Sequence, residues 1–191
     1  KLDNDVNIIA LGEAKYGAAK GSKTSVTVAL GTGVGGGIYV DGKLISGFMG
    51  AGGEIGHMKL VKDGKLCGCG QKGCFEAYAS ATGLIREATS RLIVNKQNLL
   101  YTMIEGKLDT LEAKDIFDAA KEGDKFSLDL VDYEAEYLAM GIGNILNIIN
   151  PEKVVLGGGV AMAGDILMNP MKEKLKKYAL PVTLKGIEIV K

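Results

Sequence analysis

Apolar residues recur at helical spacing over residues 8–19, where Ile8, Leu11, Ala14, Ala18 and Ala19 share a face and Asp5 or Asn7 stands ahead as a cap. The period then shortens. The run SVTVALGTGVGGGIYVDGKLISG is rich in β-branched residues and interrupted by glycines, with Asp41-Gly42 between two apolar stretches, so it predicts strand, glycine loop, strand, two-residue turn, strand. Helical spacing returns over residues 75–94, a short helix between loops is expected within residues 106–124, and a long amphipathic helix over residues 127–149 runs into Pro151. EKVVLGGGVAMAG reads as a buried strand entering a second glycine loop, residues 165–178 as a helix, and GIEIVK as a last strand. Hairpin strands followed by alternating helices and strands predict an α/β fold, a mixed sheet flanked by helices.

Composition narrows the function more than the fold. The 191 residues are 47% hydrophobic, enough for a substantial core in one domain or two small ones. Lys plus Arg and Asp plus Glu number 23 each, so the chain lacks the basic footprint of a nucleic-acid or anionic-membrane binder. No apolar run approaches the roughly 20 residues that span a bilayer, and no secretory leader opens the sequence, which gives a cytoplasmic expectation. Three cysteines cannot all pair within one chain, which argues against a disulfide scaffold.

All three cysteines and the sole histidine fall within eighteen positions, as His57-x9-Cys67-x-Cys69-x4-Cys74. Three thiolates and one imidazole suit tetrahedral zinc, and the glycines between the cysteines let the backbone bend around one ion. Four protein ligands leave no open position, so such a zinc is structural: it holds the loop in shape.

The run LGTGVGGGIYVDGKLISGFMGAGGEIGHMKL, followed by CGCGQKGCFEAYAS, closely resembles the ROK family of bacterial sugar kinases and sugar-responsive repressors, nearest to its glucokinases. The likeness extends over essentially the whole chain. It implies a ribonuclease-H-like lobe of the actin/hexokinase superfamily carrying a zinc-stabilised loop. By the same resemblance Asp5 would be the catalytic base, and Asn4, Asp5, Glu54, His57 and Glu76 would bind the sugar, with His57 also a zinc ligand. Gly31, Thr32, Gly33, Gly35 and Gly36 would belong to a phosphate-binding segment, and Gly157, Gly158 and Gly159 to the adenosine segment. The residue chemistry agrees, because carboxylates and amides suit sugar hydroxyls and glycine amides can approach phosphate oxygens closely.

The resemblance implies ATP-dependent phosphorylation of a hexose, most simply glucose, with magnesium. The rival expectations are the sugar-binding effector domain of a ROK repressor and an N-acetylmannosamine kinase. The family commonly forms homodimers or homotetramers. Its opening Asp-x-Gly-Gly-Thr phosphate segment is not found in this sequence, which starts almost at Asp5. On that reading residues 1–191 are the C-terminal, larger lobe, the N-terminal lobe is missing from this chain, and the chain alone is expected to be inactive or nearly so.

Overall fold

In the computed structural model, which describes residues 5–191, helix α1 (Asp5–Tyr16) leads into strands β1 (Thr24–Leu30), β2 (Val34–Val40) and the two-residue β3 (Lys43–Leu44). The turn between β2 and β3 is the expected one: Asp41 and Gly42 take φ of 48° and 81°, the paired left-handed conformation that matches strand twist. Helix α1 begins at Asp5 rather than Ile8, so Asp5 lies in its first turn and Asn7 is buried inside it.

After the loop that carries the three cysteines, the helix expected over residues 75–94 is broken into α2 (Glu76–Ala79) and α3 (Ala81–Val94). Ser80 makes the break: its backbone is extended (φ −102°, ψ 161°) and its hydroxyl accepts the Gly83 N–H at 3.0 Å, capping α3. A one-turn helix α4 (Leu99–Met103), capped by Asn98, was not legible from spacing, since five residues are too few to show a period. Helix α5 (Ala113–Lys121) opens on a capping box formed by Glu112 and Asp115. The 25-residue α6 (Lys125–Ile149) starts at the Asp124 cap and stops where Asn150 turns left-handed (φ 49°) before Pro151. Strand β4 (Lys153–Gly157), helix α7 (Asp165–Leu175), the short α8 (Pro181–Leu184) and strand β5 (Glu188–Val190) complete the chain.

The five strands form one mixed sheet in the order β3-β2-β1-β4-β5, antiparallel across β3, β2 and β1 and parallel across β1, β4 and β5. Val26, Val28 and Leu30 alternate along β1 into the main core, which they share with Val154 and Leu156 of β4 and the buried faces of α3, α5, α6 and α7. Helix α1 packs on β1 and β2. Glycines in β2 make that contact possible: a Cβ at Gly35 would stand 2.5 Å from Val6 Cγ2, and one at Gly36 would meet Ile55 and lie 2.7 Å from the Gly53 carbonyl. The first packs against α1 and the second against the turn at Ile55, so strand β2 is pressed from both sides.

Candidate functional site

The loop that carries His57 and the three cysteines is built on two short antiparallel bridges, Lys59 with Cys74 and Leu66 with Lys72. Gly70 and Gly73 take φ of 84° and 78°, which lets the chain double back and returns Cys74 beside the outgoing segment. The loop closes through Gly73 N–H to the Lys65 carbonyl and Phe75 N–H to the Met58 carbonyl, both 2.8 Å. This geometry gathers His57, Cys67, Cys69 and Cys74, whose ligand atoms all lie within 4.8 Å of one another.

The spacing fits zinc. A tetrahedron with bonds of about 2.3 Å has edges of about 3.8 Å. Cys69 and Cys74 Sγ are 3.7 Å apart, as are Cys67 Sγ and His57 Nδ1. Burial pushes the Cys67 thiol up to about 12, whereas the backbone N–H of Gln71 leads the effects that draw Cys69 below its usual range. Metal binding therefore has a proton to displace at Cys67. Three thiolates and a neutral imidazole around a divalent ion leave one net negative charge, and the Lys59 ammonium donates to Cys74 Sγ at 2.9 Å.

With Nδ1 turned to the cysteines, His57 Nε2 faces outward, 4.0 Å from Glu54 Oε2. Glu76, at the start of α2, joins the loop to the sheet. Its Oε1 accepts from the Cys67 thiol at 3.3 Å, and its Oε2 accepts the Val34 N–H at 3.1 Å, at the end of β2 nearest the first glycine loop. Asp5, exposed at the head of α1, is brought to β2 by the packing of Val6 on Gly35, and its Oδ1 accepts the Val6 N–H at 2.8 Å. Asn4 lies outside the described residues.

The two glycine loops follow β1 and β4, which are adjacent and parallel, with Ala29 in register with Gly157. They therefore open side by side at the C-terminal ends of the strands, where crevices in α/β sheets form. Gly31 and Gly33 flank an exposed Thr32, and the Gly31 carbonyl accepts the Ala81 N–H at 2.9 Å, tying the loop to the start of α3. Gly158 (φ 89°) passes so close to the Leu30 carbonyl that a side chain there would collide with it. Gly35 and Gly36 are inside β2, where the neighbours pressing on that strand account for their lack of a side chain, so the open part of the first loop is residues 31–33. Beside Gly159 lies a largely apolar cavity of about 490 Å³, walled by Ala81 and Ile85 of α3, Phe117 of α5, and Val160 and Ala163.

The ROK family profile matches residues 1–189. The chain belongs to the ROK family. It is 46% identical to a glucokinase of Halalkalibacterium halodurans, over 98% of this chain and 57% of that protein. It is 31% identical to a xylose repressor of Caldicellulosiruptor bescii, over 98% of this chain and 47% of that one. A ROK family glucokinase from Streptomyces griseus, solved in complex with glucose and AMPPNP, superposes with a TM-score of 0.90 at 34% identity, covering 99% of this chain and 61% of that chain. The chain thus spans less than two thirds of the length of each of these three proteins.

Sequence reasoning missed the groups that hold the loop from behind. Lys65 pairs with Glu87 of α3, and its ammonium also reaches the Tyr133 hydroxyl of α6 at 2.6 Å. The detectable signals were weak: a lysine two residues before a ligand cysteine, and the i, i+4 pairs Glu87/Arg91 and Tyr133/Tyr137.

Proposed function

We propose that this chain is the C-terminal lobe of an ATP-dependent hexose kinase, whose first candidate substrate is glucose. The observation that carries the proposal is Glu76. One side chain lies 3.3 Å from the Cys67 sulfur and also accepts the N–H of Val34 that follows the first glycine loop, so a sugar held near the Cys/His loop lies close to the place where phosphate would be held. Glu54, His57 Nε2 and Glu76 offer sugar hydroxyls a mixture of acceptors and a donor, with Asn4 and Asp5 completing the set. The apolar cavity beside Gly159 takes the adenine ring. The amides of Thr32 and Gly33 and of the loop at residues 157–159 take the phosphates, while the Gly31 N–H braces the first loop through the Gly33 carbonyl at 3.0 Å; magnesium would share the phosphate charge.

In this reading Asp5 orients the sugar hydroxyl and accepts its proton as the new oxygen–phosphorus bond forms and the bond from that phosphorus to the bridging oxygen of ATP breaks, releasing ADP. Phosphoryl transfer through a loose transition state needs alignment and charge neutralisation more than a strong base, and an exposed carboxylate on a helix pinned to β2 supplies both position and acceptor. His57, Cys67, Cys69 and Cys74 would hold zinc, which with four protein ligands fixes the loop and takes no part in the chemistry. Similarity to a glucokinase at 46% identity supports the sugar-kinase class. The repressor reading, an effector domain that senses sugar, is supported by the xylose repressor relative. The open cavity beside the second glycine loop at Gly159 favours the kinase.

The test is a coupled ADP-release assay on the complete protein with glucose, N-acetylmannosamine and xylose. Glucose-dependent turnover above the other sugars is expected. Sugar binding with no ADP release from any of them would favour the repressor. The 191-residue polypeptide on its own should show background turnover only, and turnover equal to the complete protein would overturn the assignment to one lobe.

A further inference from the structure

The hairpin that carries Cys67 and Cys69 has little core of its own. Its apolar contacts form a small cluster apart from the main core, resting on Tyr78, Tyr133 and Tyr137. Tyr78 and Tyr137 stack at 4.3 Å between ring centroids, and Tyr133 tilts against Tyr137 at 4.8 Å. Lys65 lies across this aromatic layer. Its ammonium is 4.8 Å from the Tyr133 centroid and 5.3 Å from that of Tyr78, donates to the Tyr133 hydroxyl, and pairs with Glu87. Its backbone N–H donates to the Tyr78 hydroxyl at 2.7 Å, and its carbonyl accepts the Gly73 N–H next to Cys74. Thus one residue of the hairpin binds α2, α3 and α6 together.

The pairing is sheltered. The side chains of Lys65 and Glu87 are 28% and 18% exposed, and Glu87 is also held by Arg91 at 2.8 Å, whose guanidinium lies 5.3 Å from the Tyr133 centroid. Ion pairs in such surroundings are screened less than surface pairs, and cations over aromatic faces gain further when partly desolvated. On the same helix as Tyr133, Glu134 is fully buried and neither of its oxygens has a hydrogen-bond partner. Burial pushes its carboxyl well above the ordinary carboxylate range, and the Lys65 cation pulls weakly the other way.

We propose that Lys65 is a positioning residue for the metal centre: clamped to Glu87 and Tyr133, it holds the Cys67–Cys69 hairpin on the helices and so slows loss of the ion. For the ion to leave, two thiolates must swing away with the hairpin, and that motion must break the clamp. Groups behind metal ligands typically change metal affinity by about 10- to 100-fold when removed. The inference rests on the metal reading of His57, Cys67, Cys69 and Cys74.

The experiment loads the full-length protein with zinc and follows transfer to an excess of chromophoric chelator, with urea midpoints measured on the same samples. Lys65→Met keeps the stem and removes the charge, and should release zinc about tenfold faster than the wild type or more. Lys65→Arg keeps a cation over the rings and the pairing with Glu87, and should restore most of that factor. Tyr133→Phe, which loses only a hydroxyl, should show a smaller acceleration at an unchanged urea midpoint, and it carries the test should Lys65→Met not fold. Wild-type release rates in both Lys65→Met and Tyr133→Phe would overturn the proposal, as would rates that merely track the urea midpoints across the series. A wild-type protein that takes up no zinc would overturn the metal reading itself, and this inference with it.

Discussion

Gly141 and Gly12 both sit inside helices, and the same substitution should act on them with opposite sign. Replacing a helical glycine by alanine gains up to about 1 kcal/mol from helix propensity alone. At Gly12 of α1 nothing lies within 4 Å of the added Cβ, so Gly12→Ala should realise most of that gain and raise Tm by roughly 1–4 °C for a chain of this size. At Gly141 of α6 the new Cβ would stand within 2.6 Å of three atoms of the Phe75 ring. Carbon contacts settle at about 3.5–4.0 Å, so ring or helix must give by roughly 1 Å. Phe75 is fully buried and lies between Cys74 and Glu76, so it has no free direction to move. Overpacking costs about 1–3 kcal/mol, and an overlap of roughly 1 Å with a fully buried ring belongs at the upper end, about 2–3, so with about 1 kcal/mol of helix gain set against it Gly141→Ala should lose about 1–2 kcal/mol. That corresponds to a Tm lower by roughly 2–8 °C. Urea and thermal melts on zinc-loaded samples read both effects. Because Phe75 adjoins Cys74, Gly141→Ala should also surrender zinc to a chelator faster, while Gly12→Ala should not. A Gly141→Ala protein as stable as the wild type would refute the reasoning.

The remaining expectations concern the site. The complete protein should hold about one zinc per chain by elemental analysis, lost in Cys67→Ser and Cys74→Ser, and zinc-free wild type purified without chelators would remove the metal assignment. Asp5→Asn should lower kcat by several orders of magnitude with little change in sugar affinity, and retention of more than about a tenth of kcat would take Asp5 out of the chemistry. At Glu87, burial works against the charged form, but Lys65 and Arg91 outweigh it and hold the carboxyl below its ordinary 4.5. A carboxyl depressed on folding stabilises the protein above its unfolded pKa, and that contribution disappears as pH falls through the folded value. The urea-midpoint advantage of wild type over Glu87→Gln should therefore be full above about pH 4.5 and shrink below it. An advantage independent of pH in that range would contradict the clamp's charge.

Much of the architecture was legible because local rules and tertiary structure agree. β-Branched runs split by glycines became β1 and β2, Asp41-Gly42 became the turn, and Pro151 marked the end of α6, each by a preference that acts over a few residues. The break at Ser80 was not legible, since apolar spacing continues through it and the capping bond to Gly83 shows only once α2 and α3 have packed. The one-turn helices α4 and α8 are too short to carry a period. Gly35 and Gly36 read as part of a phosphate segment, yet the space they leave is taken by Val6 and Ile55, neighbours that only the fold supplies.

The candidate metal-ligand set was legible in the sequence alone, because soft donors at His57, Cys67, Cys69 and Cys74 announce themselves by residue type and the glycines between them permit the bend that gathers them within 4.8 Å. What the tertiary structure decided is what those donors are attached to. Glu76 reaches from a ligand thiol to Val34, and Lys65 reaches from the hairpin to Glu87 and Tyr133, across 42, 22 and 68 positions of chain. Hydrogen bonds and ion pairs depend on distance in space, and no periodicity or motif records which distant side chains folding will bring within 3 Å.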